Sequence, residues 1–211
     1  MTTHVEGNGI SVVHSADASF PAKHSLNKME KRSGKHYSNQ HRILLVGEGD
    51  FSFSASLAAA FGYASNMIAT SLDSERGLWN GYDRAVYNIE ELMRKGCKVI
   101  HGVNVASMDS HPCLKHLRFD RIILNFPFAV IPHRVLVKAF LRAAKEMISE
   151  NGEIYITQRP DVILGEMKIE CIVFQQWLEL VRVVDFNVFE YWGYSPKWDI
   201  VSLAFSRGFS L

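Results

Sequence analysis

Ile43-Leu44-Leu45-Val46-Gly47-Glu48-Gly49-Asp50-Phe51-Ser52-Phe53-Ser54 is the stretch on which the reading of this chain turns. Four apolar residues in a row fit a strand buried on both faces. The run stops at Gly47 and Gly49, residues that accept backbone angles and close approaches denied to others. Beyond them Phe53, Leu57, Ala60 and Phe61 recur at helical spacing. Strand, glycine turn and helix in direct succession aim backbone N–H groups and a helix N-terminus at whatever lies above the strand. Cofactors carrying an adenosyl group are held at such turns, although two glycines alone equally mark a strand-to-helix turn that binds nothing.

Downstream, Met67 to Leu72 is a second apolar run with Asp73 behind it. An acid at the tip of the second strand, about 20 residues beyond a glycine turn, is where Rossmann-type folds hold ribose hydroxyls. The alternative is that Asp73 caps the next helix, with Ser71 and Ser74 close by. Tyr82, Ala85, Val86, Ile89, Leu92 and Met93 trace one helical face that ends before Gly96. Lys98 to Val103 reads as a third strand. It leads to Asn104, whose amide could read an adenine edge or simply serve a turn. A fourth strand, Phe119 to Leu124, runs straight into Asn125-Phe126-Pro127-Phe128. Asn125 offers an acceptor and a donor, Pro127 stiffens the backbone, and Phe128 supplies a flat face for a base. Read blandly, the same four residues are a proline-terminated strand and a core phenylalanine.

The rest of the pattern is a helix from His133 to Ser149, a strand from Glu153 to Thr157, and a helix from Met167 to Val183. Two closing strands follow, Asp185 to Trp192 and Asp199 to Phe205, around Gly193-Tyr194-Ser195-Pro196. So short a turn joins only antiparallel neighbours. The expectation is an α/β, Rossmann-like methyltransferase fold: a mostly parallel sheet with a C-terminal antiparallel hairpin and helices on both faces. The glycine turn argues against a nicotinamide dinucleotide, because Ser52 replaces its third glycine and Asp50 and Phe51 would crowd a pyrophosphate. An acid there attracts the ammonium or sulfonium of S-adenosylmethionine instead. Asn125-Phe126-Pro127-Phe128 also resembles the Asn/Asp-Pro-Pro-aromatic signature of amino methyltransferases acting on nucleobases, with Phe126 in place of the first proline.

The chain has 211 residues, 47% of them hydrophobic, which suits one domain with its own core. Its formal charge of +1 leaves any nucleic-acid contact to a local basic patch. Cys97, Cys113 and Cys171 make an odd set with no paired spacing, pointing to a reducing intracellular compartment. No apolar run reaches the ~20 residues that cross a bilayer, so no membrane is expected. His111, Cys113 and His116 match no zinc pattern, so no metal is expected either. Residues 1–40 read as a basic, disordered arm ahead of a domain spanning 41–211. Lys23, Lys28, Lys31, Arg32, Lys35 and Arg42, with Tyr37 available for stacking, would suit a phosphate backbone or form a solvated tail.

Four segments carry a family resemblance: Val46 to Ser54; Ala69-Thr70-Ser71-Leu72-Asp73; His101-Gly102-Val103; and Phe119-Asp120-Arg121-Ile122-Ile123 with Asn125-Phe126-Pro127. From about Tyr37 to Thr157 the chain resembles the eukaryotic large-subunit ribosomal RNA uridine-N3 methyltransferase-like family. The resemblance implies methylation of N3 of a uridine in ribosomal RNA, S-adenosylmethionine as cofactor, pre-ribosomes as partners, and a nuclear or nucleolar location with the cytoplasm as alternative. Carried onto this chain, Gly47, Glu48, Gly49, Asp50, Phe51 and Ser52 surround the methionine end of the cofactor. Asp73 holds its ribose, Asn104 its adenine, and Asn125, Pro127 and Phe128 face the base. Phe128 stands where the family usually has histidine, Asn104 where aspartate is expected, and the stretch after Thr157 lacks the usual Gly-x-Pro-aromatic. The alternative to catalysis is a methyltransferase-fold module that binds RNA or protein without chemistry.

Overall fold

A computed structural model describes residues 36–125, 132–159, 161–162, 169–191, 193–194 and 201–208. Its sheet is laid down by β1 (Ile43–Val46), β2 (Met67–Thr70), β3 (Lys98–Ile100), β4 (Phe119–Asn125), β5 (Ile148–Gln158), β6 (Leu178–Asp185) and β7 (Val201–Arg207). Their spatial order is β3-β2-β1-β4-β5-β7-β6. The pairs β1–β2, β1–β4, β2–β3 and β4–β5 are parallel, and β7 lies antiparallel to both β5 and β6. All four residues of β1 are buried, as its uninterrupted apolar run requires of a central parallel strand covered on both faces.

The covering helices are α1 (Ser52–Phe61), α2 (Glu75–Gly81), α3 (Ala85–Arg94), α4 (His133–Met147) and α5 (Ile169–Gln175). Alternate side chains of the strands feed two separate cores. Leu44, Val46, Ile122 and Leu124 join the inner faces of α4 and α5 through Phe140, Leu141 and Ile172. Ile43, Leu45 and Ile123 join those of α1 and α3 through Phe53, Leu57, Ile89 and Leu92.

The antiparallel ending is there, but its elements fall elsewhere than the sequence predicts. The helix expected over Met167 to Val183 stops at Gln175, and the chain turns at Trp177, which has a φ of +54°. Leu178–Asp185, expected partly as helix, instead pairs with β7 along its length. Val181, Val183 and Val184 are β-branched and stiff, which favours the pleated state. Of the strand expected over Asp185 to Trp192, Asp185 ends β6, residues 186–191 form a loop with a short 3₁₀ turn at Val188–Glu190 in which Phe186 stacks on Tyr191 at 5.0 Å, and Trp192 lies outside the described residues. β6 ends at Asp185 and β7 begins at Val201, so the last two strands are not joined by a four-residue turn. A further helix, α2, was not foreseen; Ser74 starts it by accepting the Gly77 N–H at 3.1 Å.

Residues 1–35 of the expected arm lie outside the described residues. Its end is not an arm: Tyr37 is buried against Phe53, Tyr155 and Tyr191, so it offers no face for stacking RNA. Among the described residues no helix is long and apolar enough to cross a membrane.

Candidate active site

The register of the central strands gathers the predicted residues at one end of the sheet. Val46 pairs with Leu124, and Leu45 pairs with both Ala69 and Ile123. Strands lie about 4.8 Å apart, so Gly47 leaves β1 directly beside Asn125 on one side and Ser71 on the other. The Glu48 N–H donates to the Thr70 carbonyl at 2.8 Å and the Val103 N–H to the Ser71 carbonyl at 2.9 Å, which ties the loops after β1, β2 and β3 together. This is the carboxyl end of a parallel sheet at its topological switch, where open α/β folds bind ligands.

Gly47 is exposed and has a φ of +70°, a conformation that a Cβ would strain. A Cβ on Gly49 would meet the Tyr82 ring at 3.2 Å. The turn is held from within. Glu48 is only 8% exposed and accepts the Ser54 N–H at 3.2 Å and the Ser54 hydroxyl at 2.7 Å. It thereby caps the first turn of α1, where the helix dipole favours an anion. Burial pushes its carboxyl up to about 7; the Ser54 bonds oppose that rise and the nearby Asp50 adds to it. Asp50 accepts both the Ser52 N–H at 3.0 Å and its hydroxyl at 2.6 Å, and its own carbonyl accepts the Asn88 amide at 2.8 Å. Phe51 is fully buried in the left-handed region with a φ of +59°, edge-on to His101 at 6.1 Å.

Asp73 stands three residues past the end of β2, exposed, and its carboxylate makes no hydrogen bond or ion pair with the described residues. Its backbone is fixed: the Ser71 hydroxyl accepts its N–H at 3.2 Å, and its carbonyl accepts the Gly102 N–H at 3.3 Å. The alternative role of helix cap falls to Ser74. Asn104 is exposed and its side-chain oxygen accepts the Ala106 N–H at 2.9 Å, so that atom is engaged in a local turn. Asn125 is the last residue of β4, and both polar atoms of its amide are buried with no hydrogen-bond partner among the described residues. A buried amide left so costs on the order of 1–3 kcal/mol unless a ligand completes it.

Gly47, Glu48, Asp50, Asp73 and Asn125 thus surround the strand ends, while Ser52 is turned to Asp50 and Phe51 into the core. Pro127 and Phe128 lie outside the described residues. Sequence reading missed Asn88 and the placement of Tyr82 over the turn. A buried Asn on the apolar side of an amphipathic helix is the one hint of the former. Among the described residues no three His, Cys, Asp or Glu are grouped to hold a metal.

Comparison with known proteins fits this geometry. A family described as BMT5-like, rRNA (uridine-N3-)-methyltransferase BTM5-like, matches residues 44–198. An uncharacterized protein of Arabidopsis thaliana is 43% identical over 176 residues, covering 77% of this chain and 84% of that one. Heavy metal-associated isoprenylated plant protein 41 of the same species is 40% identical over 174 residues, and there the match spans 77% of this chain but only 34% of the relative. Among solved structures, magnesium protoporphyrin IX methyltransferase of Synechocystis with bound S-adenosylmethionine shares the fold. Its TM-score is 0.54 at 13% identity, over 80% of this chain and 70% of that one.

Proposed function

The chain belongs to the BMT5-like rRNA (uridine-N3-)-methyltransferase family, and from that membership we propose that it is an S-adenosylmethionine-dependent RNA methyltransferase acting on N3 of a uridine in ribosomal RNA, on pre-ribosomes in the nucleus or nucleolus. The observation that carries the reading is the partnerless, buried amide of Asn125 beside the exposed Gly47. A uracil presents an imide N–H between two carbonyls, and an amide with both atoms open can accept from the one and donate to the other.

The residues present fit the cofactor. Gly47 leaves open backbone at the strand end, Asp73 offers a ribose diol a carboxylate that has no partner among the described residues, and Glu48 and Asp50 place negative charge beside the turn. The Asn104 amide nitrogen would face the adenine. S-adenosylmethionine supplies an electrophilic methyl group when bound. The reaction forms an N3–methyl bond on the base, breaks a sulfur–methyl bond and releases the imide proton to solvent. The chain's contribution is alignment, which for well-oriented reactants is worth roughly 7–11 kcal/mol. Asn125 would fix the plane of the flipped-out uracil; Pro127 and Phe128, the other residues expected to face the base, lie outside the described residues. An uncharged amide removes no proton, so Asn125 orients the ring and water takes the proton.

Mass spectrometry of nucleosides from ribosomal RNA treated with the protein and S-adenosylmethionine tests this directly, the expected product being 3-methyluridine. Asn125→Ala should abolish the product while calorimetric affinity for S-adenosylhomocysteine stays within about threefold. Unchanged turnover would remove Asn125 from the mechanism, and failure of the native chain to bind the cofactor would leave a fold without this chemistry.

A further inference from the structure

We propose that the solvent face of α4 is the track on which the phosphate backbone of the substrate RNA lies, a reading that rests on the RNA methyltransferase function above. The helix carries Arg134, Lys138, Arg142 and Lys145 against Glu146 alone. At about 100° per residue these four cations fall within an arc of about 80°, while Phe140, Ala143 and Met147 are buried on the opposite side. The whole chain has a formal charge of +1, so this one helix, with a surplus of three positive charges, stands out from a remainder that is net acidic. A solvated helix face with alternating signs would need no partner; four cations over three turns, set against Glu146 and the Asp109 that pairs with Arg142, leave a net positive face that attracts a polyanion.

The direction of the helix gives the stripe its meaning. α4 crosses over between parallel β4 and β5, so its N-terminal end, His133, eight residues after Asn125, lies at the same end of the sheet as that residue. The cations then lead away from the site for about 16 Å at 1.5 Å per residue. Two further contacts stiffen the track. Arg142 donates to the Ala106 carbonyl at 2.6 Å and pairs with Asp109 at 3.3 Å, which fixes it to the loop that carries Asn104. At the far end Arg207 donates to the carbonyls of Lys145 and Ile148 at 2.7 and 3.2 Å, adding another exposed cation where the helix dipole is negative. Lys138 and Lys145 are left to reach phosphate oxygens, and a strand pinned there would deliver its next base to Asn125.

The test uses the full chain and a fluorescent single-stranded RNA with one uridine in an adenosine background, titrated at several salt concentrations. Lys138→Glu/Lys145→Glu should weaken binding at least tenfold and flatten the plot of log affinity against log salt by about 1.4, since each phosphate contact on a single strand contributes about 0.7. Arg76→Glu/Lys95→Glu makes the same change of net charge on helix α2 and at the C-terminal cap of α3, helices that cover the other face of the sheet, and should stay within threefold. Lys138→Ala/Lys145→Ala, which introduces no repulsion, should lose severalfold with the same change of slope. Calorimetry with S-adenosylhomocysteine should be unchanged in every variant. Equal losses in the two charge-reversed proteins, or none in the α4 variant, would overturn the track while leaving the enzyme reading intact; a native protein that binds the cofactor but no RNA would overturn both.

Discussion

Glu48→Gln should make this protein more stable and a poorer binder of its cofactor, and the pH at which the difference opens is set by the structure. Glu48 is buried, and its carboxyl titrates near 7 in place of its ordinary value near 4.5, because lost hydration outweighs the two bonds from Ser54. A carboxyl whose folded value lies above its unfolded one is more easily ionised in the unfolded chain. Its contribution to stability is therefore intact below about pH 4.5 and is lost as pH rises through about 7. At about 1.4 kcal/mol per pH unit, the interval corresponds to roughly 3 kcal/mol. Glutamine keeps the volume and the acceptor oxygen for Ser54 but cannot ionise. At 2–4 °C per kcal/mol for a chain of this size, the variant should melt about 6–12 °C higher at pH 8.5 and equally at pH 4.5. Differential scanning calorimetry of both proteins across that range is the assay. A bound sulfonium reverses the balance, so calorimetric affinity for S-adenosylmethionine should rise with pH through 7 in the native protein and stay flat and weaker in the variant. Melting curves that run parallel at all pH values would show that Glu48 is ionised at no cost, and the burial argument would fall.

Asn88→Ala removes the 2.8 Å bond to the Asp50 carbonyl and should lower stability by about 1–2 kcal/mol while loosening the glycine turn, seen as weaker S-adenosylhomocysteine binding. Gly49→Ala must displace the Tyr82 ring, which its Cβ would meet at 3.2 Å; adding Tyr82→Ala should restore most of the lost cofactor affinity, and no restoration would place the conflict elsewhere. Burial alone would raise the Asp120 carboxyl, but bonds from Arg42 at 2.9 and 3.0 Å and its charge hold it below the usual carboxylate range. Its contribution is present above about pH 4 and fades as pH falls through the lowered value. Asp120→Asn should thus cost about 1 kcal/mol at pH 7, discounted for partial exposure, and progressively less as pH falls through the lowered value, by denaturant unfolding.

What the sequence made readable follows from how locally each feature is encoded. The run Ile43 to Val46 can be buried on both faces only in the middle of a parallel sheet, so the strand and the turn beside it were legible from residues adjacent in the chain, while the approach of Asn125 followed from the strand order of the fold class. β6 was not, for a physical reason. A residue at Val181 has no partner on β7, so the register shifts between Leu180 and Arg182 and the two-residue alternation that would announce a strand is broken. As the edge of the sheet, it also leaves Leu180, Val181 and Val183 exposed, and with Trp177 and Leu178 these letters fit a helical face just as well. Asn88 was hidden for the opposite reason: its partner is 38 residues away, and no local pattern records such a contact. The site therefore divides into parts written in short motifs, which under the proposed function would touch ligand, and parts written in long-range contacts, which hold those motifs still. Variants of the second kind should change how tightly the turn is held before they change what it binds, so Asn88→Ala should lose cofactor affinity mainly through faster release, a distinction that stopped-flow measurement of on- and off-rates can make.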